Sequence, residues 1–173
     1  MSAPIASAIW ATDGRLPYSG TAMKSVTVPV ASRAPEWELK DGLGDIHRLD
    51  EIDGDKILLV FFRGFWCESC QAQLASMTSE HQDFVDRGAI TVAISADSAK
   101  PGLGLPFLVL SDPDLRVIRQ YGVLHRPDDL GPGIARPSVF LLDQSRTVRY
   151  AYIGADANDR PMLDALLLAL DSI

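Results

Sequence analysis

Cysteine is scarce in this chain: 173 residues hold two, Cys67 and Cys70. A network of structural disulfides is therefore excluded. Histidine is nearly as rare. His47, His81 and His125 stand singly, with no ligand spacing, whereas a zinc site needs about four ligands. Positive charge is in deficit, with 16 Lys and Arg against 23 Asp and Glu, a net charge of −7. No basic stripe offsets it, so nucleic acid and anionic membrane surfaces are not expected partners. Long apolar runs are missing too. Residues 57–62 are far too few to cross a bilayer, and the C-terminal stretch 162–170 is short and interrupted by Asp164. The first 20 residues lack a basic start followed by an apolar block, so no secretory leader is read and a cytoplasmic setting is expected. No repeat or low-complexity tract occurs. The glycines at 42, 44, 102 and 104 lack the strand-and-helix setting of a nucleotide loop. Ser138 lacks a recognisable His and acid set, and the Asp-rich segments lack calcium-loop spacing. No cofactor is expected.

What remains is an ordinary globular composition, 47% hydrophobic and 23% charged, in a length that suits one domain. Residues 1–20 read as an N-terminal arm and 21–173 as the single domain. Residues 25–30 (SVTVPV) alternate like a short edge strand, and 34–39 (APEWEL) begin an extended stretch ended by turns at Asp41-Gly42 and Gly44-Asp45. Residues 57–63 (ILLVFFR) are continuous and β-branched or aromatic, as in a strand buried on both faces. Leu74, Met77, His81, Phe84 and Val85 recur at helical spacing, predicting one amphipathic helix that ends near Gly88. Its stripe makes His81 a packed residue rather than a ligand. Residues 89–95 and 107–110 read as two more strands. Ser111-Asp112-Pro113 starts a short helix over 115–121. Residues 123–134 read as loop, 138–142 and 147–153 as an antiparallel hairpin, and 159 onward as a final helix. That helix is apolar nearly all round, as in a core or subunit contact. The order β–α–β–α–β–β–α predicts an α/β protein with a central mixed β-sheet flanked by helices on both faces.

The two cysteines sit where the apolar strand gives way to the helical pattern, in Trp66-Cys67-Glu68-Ser69-Cys70. In a reducing compartment such a pair is catalytic or metal-binding rather than a staple. Cys67 falls at the helix N-terminus and Cys70 in its first turn, where free backbone N–H groups and the helix dipole favour a thiolate. The i, i+3 spacing puts both sulfurs on one side, within bridging reach. One thiol can attack and the other resolve. Glu68 opposes ionisation, and Arg63 is a counter-charge. This reading needs the sulfurs held and exposed. Pro137 is a second candidate, either a strand-initiating proline or a cis-proline packed beside the sulfurs.

These residues, together with 34–39 (APEWEL), RGFWCESCQAQL at 63–74, LSDPD at 110–114, YGV at 121–123 and PSVFLLD at 137–143, resemble the redoxins of the thioredoxin-like superfamily. Within them the chain is most similar to the peroxiredoxin-like group of alkyl hydroperoxide reductase and thiol-specific antioxidant proteins. The resemblance runs from about residue 34 to the C-terminus and implies a thioredoxin-like fold. It also implies that Cys70 takes the place of the peroxidatic cysteine, while the family's Thr falls on Cys67 and its Pro on Arg63. The family arginine falls on Pro137, beside Arg136. The WCxxC order and Pro137 are thioredoxin-like instead. Three functions follow. In a thiol peroxidase, Cys70 attacks peroxide, Cys67 closes the disulfide, and Arg63 or Arg136 stabilises the charge. A thioredoxin- or glutathione-type reductant then recycles it. In a thiol–disulfide oxidoreductase, Cys67 attacks a protein disulfide and Cys70 resolves. In a redox sensor, the pair gates a partner surface, for which the Val148, Tyr150 and Tyr152 edge and a homodimer are available.

Overall fold

The computed structural model describes residues 27–98, 104–126, 131 and 133–173. Residues 1–20, read as an arm, lie outside them. Among the described residues the backbone forms nine strands: β1 (Glu38–Lys40), β2 (Ile46–Arg48), β3 (Lys56–Phe61), β4 (Ala89–Ser95), β5 (Leu108–Ser111), β6 (Leu124–His125), β7 (Ile134–Ala135), β8 (Ser138–Leu142) and β9 (Val148–Ile153). Four α-helices accompany them, α1 (Glu68–Ser79), α2 (His81–Asp86), α3 (Arg116–Gln120) and α4 (Leu163–Asp171), with one 3-10 turn at Leu49–Glu51. Seven strands make one sheet in the order β2-β1-β5-β4-β3-β8-β9. β3 runs parallel to β4, and β4 to β5, while β8 is antiparallel to β3 and to β9. The expected mixed sheet is therefore present.

β3 is central because its side chains are apolar on both faces. Ile57, Leu59 and Phe61 point into one core with Val117, Ile118 and Tyr121 of the α3 side. Leu58 and Val60 point into the opposite core with Met77, Phe84, Leu166 and Leu170 of α1, α2 and α4. Each such buried side chain is worth roughly 1.5–3 kcal/mol, which favours a place inside the sheet, between β4 and β8. Phe61, Tyr121 and Phe140 lock the first core through tilted and edge-on contacts with centroids 5.1, 5.2 and 5.8 Å apart.

Several sequence expectations are corrected. The helix predicted to run to Gly88 breaks at Glu80, where φ is −95° and ψ is 12°. Thr78 and Ser79 hydroxyls bond the carbonyls of Leu74 and Ala75, which loosens the turn before the break. Residues 27–30 of the predicted edge strand are not strand, and 25–26 lie outside the described residues. Ser32 closes a turn on the Pro29 carbonyl instead, Ala31 N–H donates to the Val148 carbonyl, and Val148 N–H donates to the Ser32 carbonyl. The loop over 123–134 contains β6, which pairs with β7. Two-residue strands leave no periodicity to read. The final helix starts at Leu163, later than expected, so residues 154–162 form a separate loop. On the helix, Leu166 and Leu170 are core residues, whereas Leu168, and Met162 just before the helix, are exposed.

Candidate functional site

The chain leaves β3 through Phe62, turns at residues 63–66 and enters α1, with Cys67 as the extended residue just before the first helical one. The turn is held from two sides. Phe65 N–H donates to Asp97 Oδ2 at 2.7 Å, beyond the end of β4, and Gln71 of α1 donates back to the Phe65 carbonyl. Gly64 is required here, because a Cβ would lie 2.3 Å from Trp66 Nε1 and 2.7 Å from Asp97 Oδ2. Cys67 N–H donates to the Gly64 carbonyl, and the Cys67 carbonyl accepts the N–H groups of Cys70 and Gln71 in the first turn of α1. The expected strand-to-helix placement of the pair is thus present.

The sulfurs are free thiols, and their expected exposure is corrected: Cys67 is 5% exposed and Cys70 fully buried. Phe62, Leu74 and Ala93 pack on them. The pocket is not purely hydrocarbon, because two guanidinium groups enter it. Arg63 Nη1 lies 3.9 Å from Cys67 Sγ and its guanidinium stacks 5.0 Å from the Trp66 ring centre. Arg160 Nη2 lies 3.1 Å from Cys70 Sγ and 3.9 Å from Cys67 Sγ. Trp66 is half exposed at the rim.

The two thiols are pushed apart. Burial opposes ionisation of Cys67, but hydrogen bonds from Cys70 and the charges of Arg63 and Arg160 outweigh it and bring its pKa below the ordinary thiol value. Burial pushes Cys70 up, and its hydrogen bond to Cys67 adds to the rise. Glu68, expected to raise the thiol pKa, is exposed on the outer side of the turn, and Cys67 is lowered all the same.

Arg136 and Pro137 are buried. Arg136 N–H bonds the Val123 carbonyl, and its charge, with that of Arg63, acts after burial to depress the pKa of His125. Every described peptide bond is trans, so the cis reading of Pro137 is corrected. Pro137 leads into β8 as a strand-initiating residue, and its carbonyl accepts Gly154 N–H at 2.7 Å. His81 is half-buried and its ring lies 6.3 Å from that of Phe107. Among the described residues, no three His, Cys, Asp or Glu side chains converge as a metal set.

Sequence reasoning missed Arg160. It stands 90 residues beyond Cys70 in Asp159-Arg160-Pro161, which reads as a helix opening, and no local signal marks it. It missed the supports as well: Gln73 Oε1 accepts from Arg160 Nε at 3.0 Å, and Asn158 Oδ1 accepts from Ser69 Oγ at 2.7 Å.

Comparison with known proteins agrees with this architecture. Peroxiredoxin Bcp of Bacillus subtilis is 27% identical over 128 residues, covering 69% of this chain and 81% of the relative. The thiol-disulfide oxidoreductase ResA of Geobacillus thermodenitrificans is also 27% identical, over 144 residues, covering 79% and 76%. Among solved structures, the peroxidoxin BcpB of Mycobacterium tuberculosis shares the fold, with a TM-score of 0.70 and 23% identity over 83% of this chain and 97% of that one. The model of the AhpC/TSA family matches residues 30–151, a span that contains β3, both cysteines, β8 and the first part of β9, and the chain belongs to that family.

Proposed function

We propose that this chain reduces peroxides through a Cys67/Cys70 dithiol–disulfide cycle in which Cys67 attacks first. The observation that carries this order is the asymmetry of the pair. Cys67 is the sulfur with some access to solvent, it precedes the first turn of α1, and both guanidinium groups approach it. Cys70 is sealed behind it. The family resemblance puts the attack on Cys70, but a sulfur without solvent access is poorly placed to meet a peroxide.

The steps balance. The Cys67 thiolate attacks one peroxide oxygen, the O–O bond breaks, and the leaving oxygen takes a proton to become water or an alcohol. Cys67 is then a sulfenic acid. Cys70 Sγ attacks that sulfur, hydroxide leaves and is protonated to water, and a disulfide remains. A thioredoxin- or glutathione-type reductant supplies the two electrons that restore the dithiol. A reducing cytoplasm and a homodimer through the β9 edge are parts of this proposal. β9 supports the second, since it ends the sheet with Tyr150 and Tyr152 partly exposed.

Stopped-flow emission of Trp66 after mixing with hydrogen peroxide tests the reading. A fast phase is expected in wild type and in Cys70→Ser, with a sulfenic acid trapped on Cys67 in the variant. A phase that survives Cys67→Ser instead transfers the attack to Cys70 and sinks the proposed order.

A second reading, thiol–disulfide exchange with proteins, is favoured by the same N-terminal placement of Cys67 and by the likeness to ResA. Turnover of insulin disulfides, with no response to peroxide, would select it.

A further inference from the structure

We propose that Arg160 is a catalytic residue of the reductive half-cycle: its guanidinium stabilises the negative charge that develops on Cys70 when the disulfide is opened. This rests on the cycle proposed above. In that step the reductant thiolate attacks Cys67 Sγ, the Cys67–Cys70 bond breaks, and the electron pair leaves on Cys70 Sγ. The product is a mixed disulfide on Cys67 and a thiolate on Cys70. Cys70 is fully buried, and water cannot solvate the charge it acquires. A leaving thiolate in hydrocarbon is costly unless a donor is already in place.

Arg160 Nη2, 3.1 Å from Cys70 Sγ, is that donor. Its other nitrogens are occupied in ways that aim it. Nε donates to Gln73 Oε1 at 3.0 Å, one turn beyond Cys70 on α1, and Nη1 donates to the Ala157 carbonyl at 2.8 Å. Residues 154–160 are themselves tied down. Asp159 accepts Ala155 N–H at 2.7 Å and the Tyr152 hydroxyl, and Asp156 Oδ1 accepts Asn158 N–H at 2.7 Å. Asn158 in turn takes the hydroxyl of Ser69, which lies between the two cysteines. Gly154 leaves no room for a Cβ, which would meet the Asp159 carbonyl at 2.4 Å. A loop braced at this many points holds a cation on the sulfur before the charge arrives, so little reorganisation accompanies the step. The Arg63 backbone also hydrogen-bonds Cys70 and favours its charge, but the Arg63 guanidinium reaches Cys67, so Arg160 is the side-chain cation at Cys70.

The test separates this step from peroxide chemistry. Protein is oxidised to the disulfide with diamide, and its reduction by dithiothreitol is followed by Trp66 emission. Arg160→Gln is expected to slow reduction about tenfold at neutral pH and to shift the equilibrium with glutathione toward the disulfide, while Arg160→Lys recovers part of both. Wild-type rate and equilibrium in Arg160→Gln overturn the proposal. Should that variant not fold, Gln73→Leu decides. It keeps the charge and removes its anchor, so severalfold slower reduction supports the role and wild-type rates overturn it. Peroxide is absent throughout, so a chain inert to peroxide would still report on Arg160.

Discussion

Cys67 and Cys70 carry the same side chain, yet their surroundings shift the two thiol pKa values in opposite directions, and position alone separates them. Cys67 precedes the first helical residue, with two guanidinium groups near it. Cys70 lies one turn further in, where burial dominates. Alkylation by iodoacetamide, read by mass spectrometry across pH, is expected to label Cys67 first and at the lower pH in reduced wild type. In Cys67→Ser, Cys70 is expected to label only in the alkaline range. Equal rates at the two sulfurs would remove the asymmetry on which the attack order stands. Residue identity at 67 and 70 is legible in one dimension because the chemistry needs the pair to be near neighbours. Arg160 is not, because its partnership with Cys70 is a product of folding and leaves no spacing rule in the chain.

At the scale of an element, the β8–β9 hairpin depends on one carboxylate. Asp143 Oδ1 accepts Ser145 N–H at 2.9 Å, Ser145 Oγ at 2.7 Å and Thr147 N–H at 3.0 Å, and Oδ2 accepts Arg149 Nε at 2.6 Å. Burial raises its pKa, but these donors more than offset it and bring the value from 3.8 down to about 2. The folded value lies below the unfolded one. The stabilisation is therefore complete above about pH 5 and is lost as pH falls through about 2. Asp143→Ala is expected to cost about 1–2 kcal/mol in urea unfolding at pH 7, and the gap between the proteins is expected to close toward pH 2. The strands themselves were readable from composition, since residues 138–142 and 148–153 match the predicted segments closely. The helix break at Glu80 was not, because the apolar period continues through it in Leu74, Met77 and Phe84. Only the backbone angles and the hydroxyl back-bonds reveal it.

For the molecule as a whole, both cores meet on β3, and we propose that residues 21–173 unfold as one unit for that reason. Fully buried, Phe61 touches Tyr121, the residue that follows α3, and Phe140 of β8. Phe61→Ala is expected to cost about 3–5 kcal/mol. Far-UV circular dichroism and tryptophan emission are expected to report one shared urea midpoint, lowered by the variant. Two separated midpoints would divide the domain.

Pattern alone was enough for the α/β class, the central apolar strand and the dithiol at its exit, because strand period, helix period and a Cys-x-x-Cys spacing are local properties of a chain. Which sulfur faces solvent, which arginine meets it and which peptide geometry precedes Pro137 were decided in three dimensions. Burial and charge act through space, and the group that sits on Cys70 comes from a loop that only the closed sheet and the α1 surface bring near.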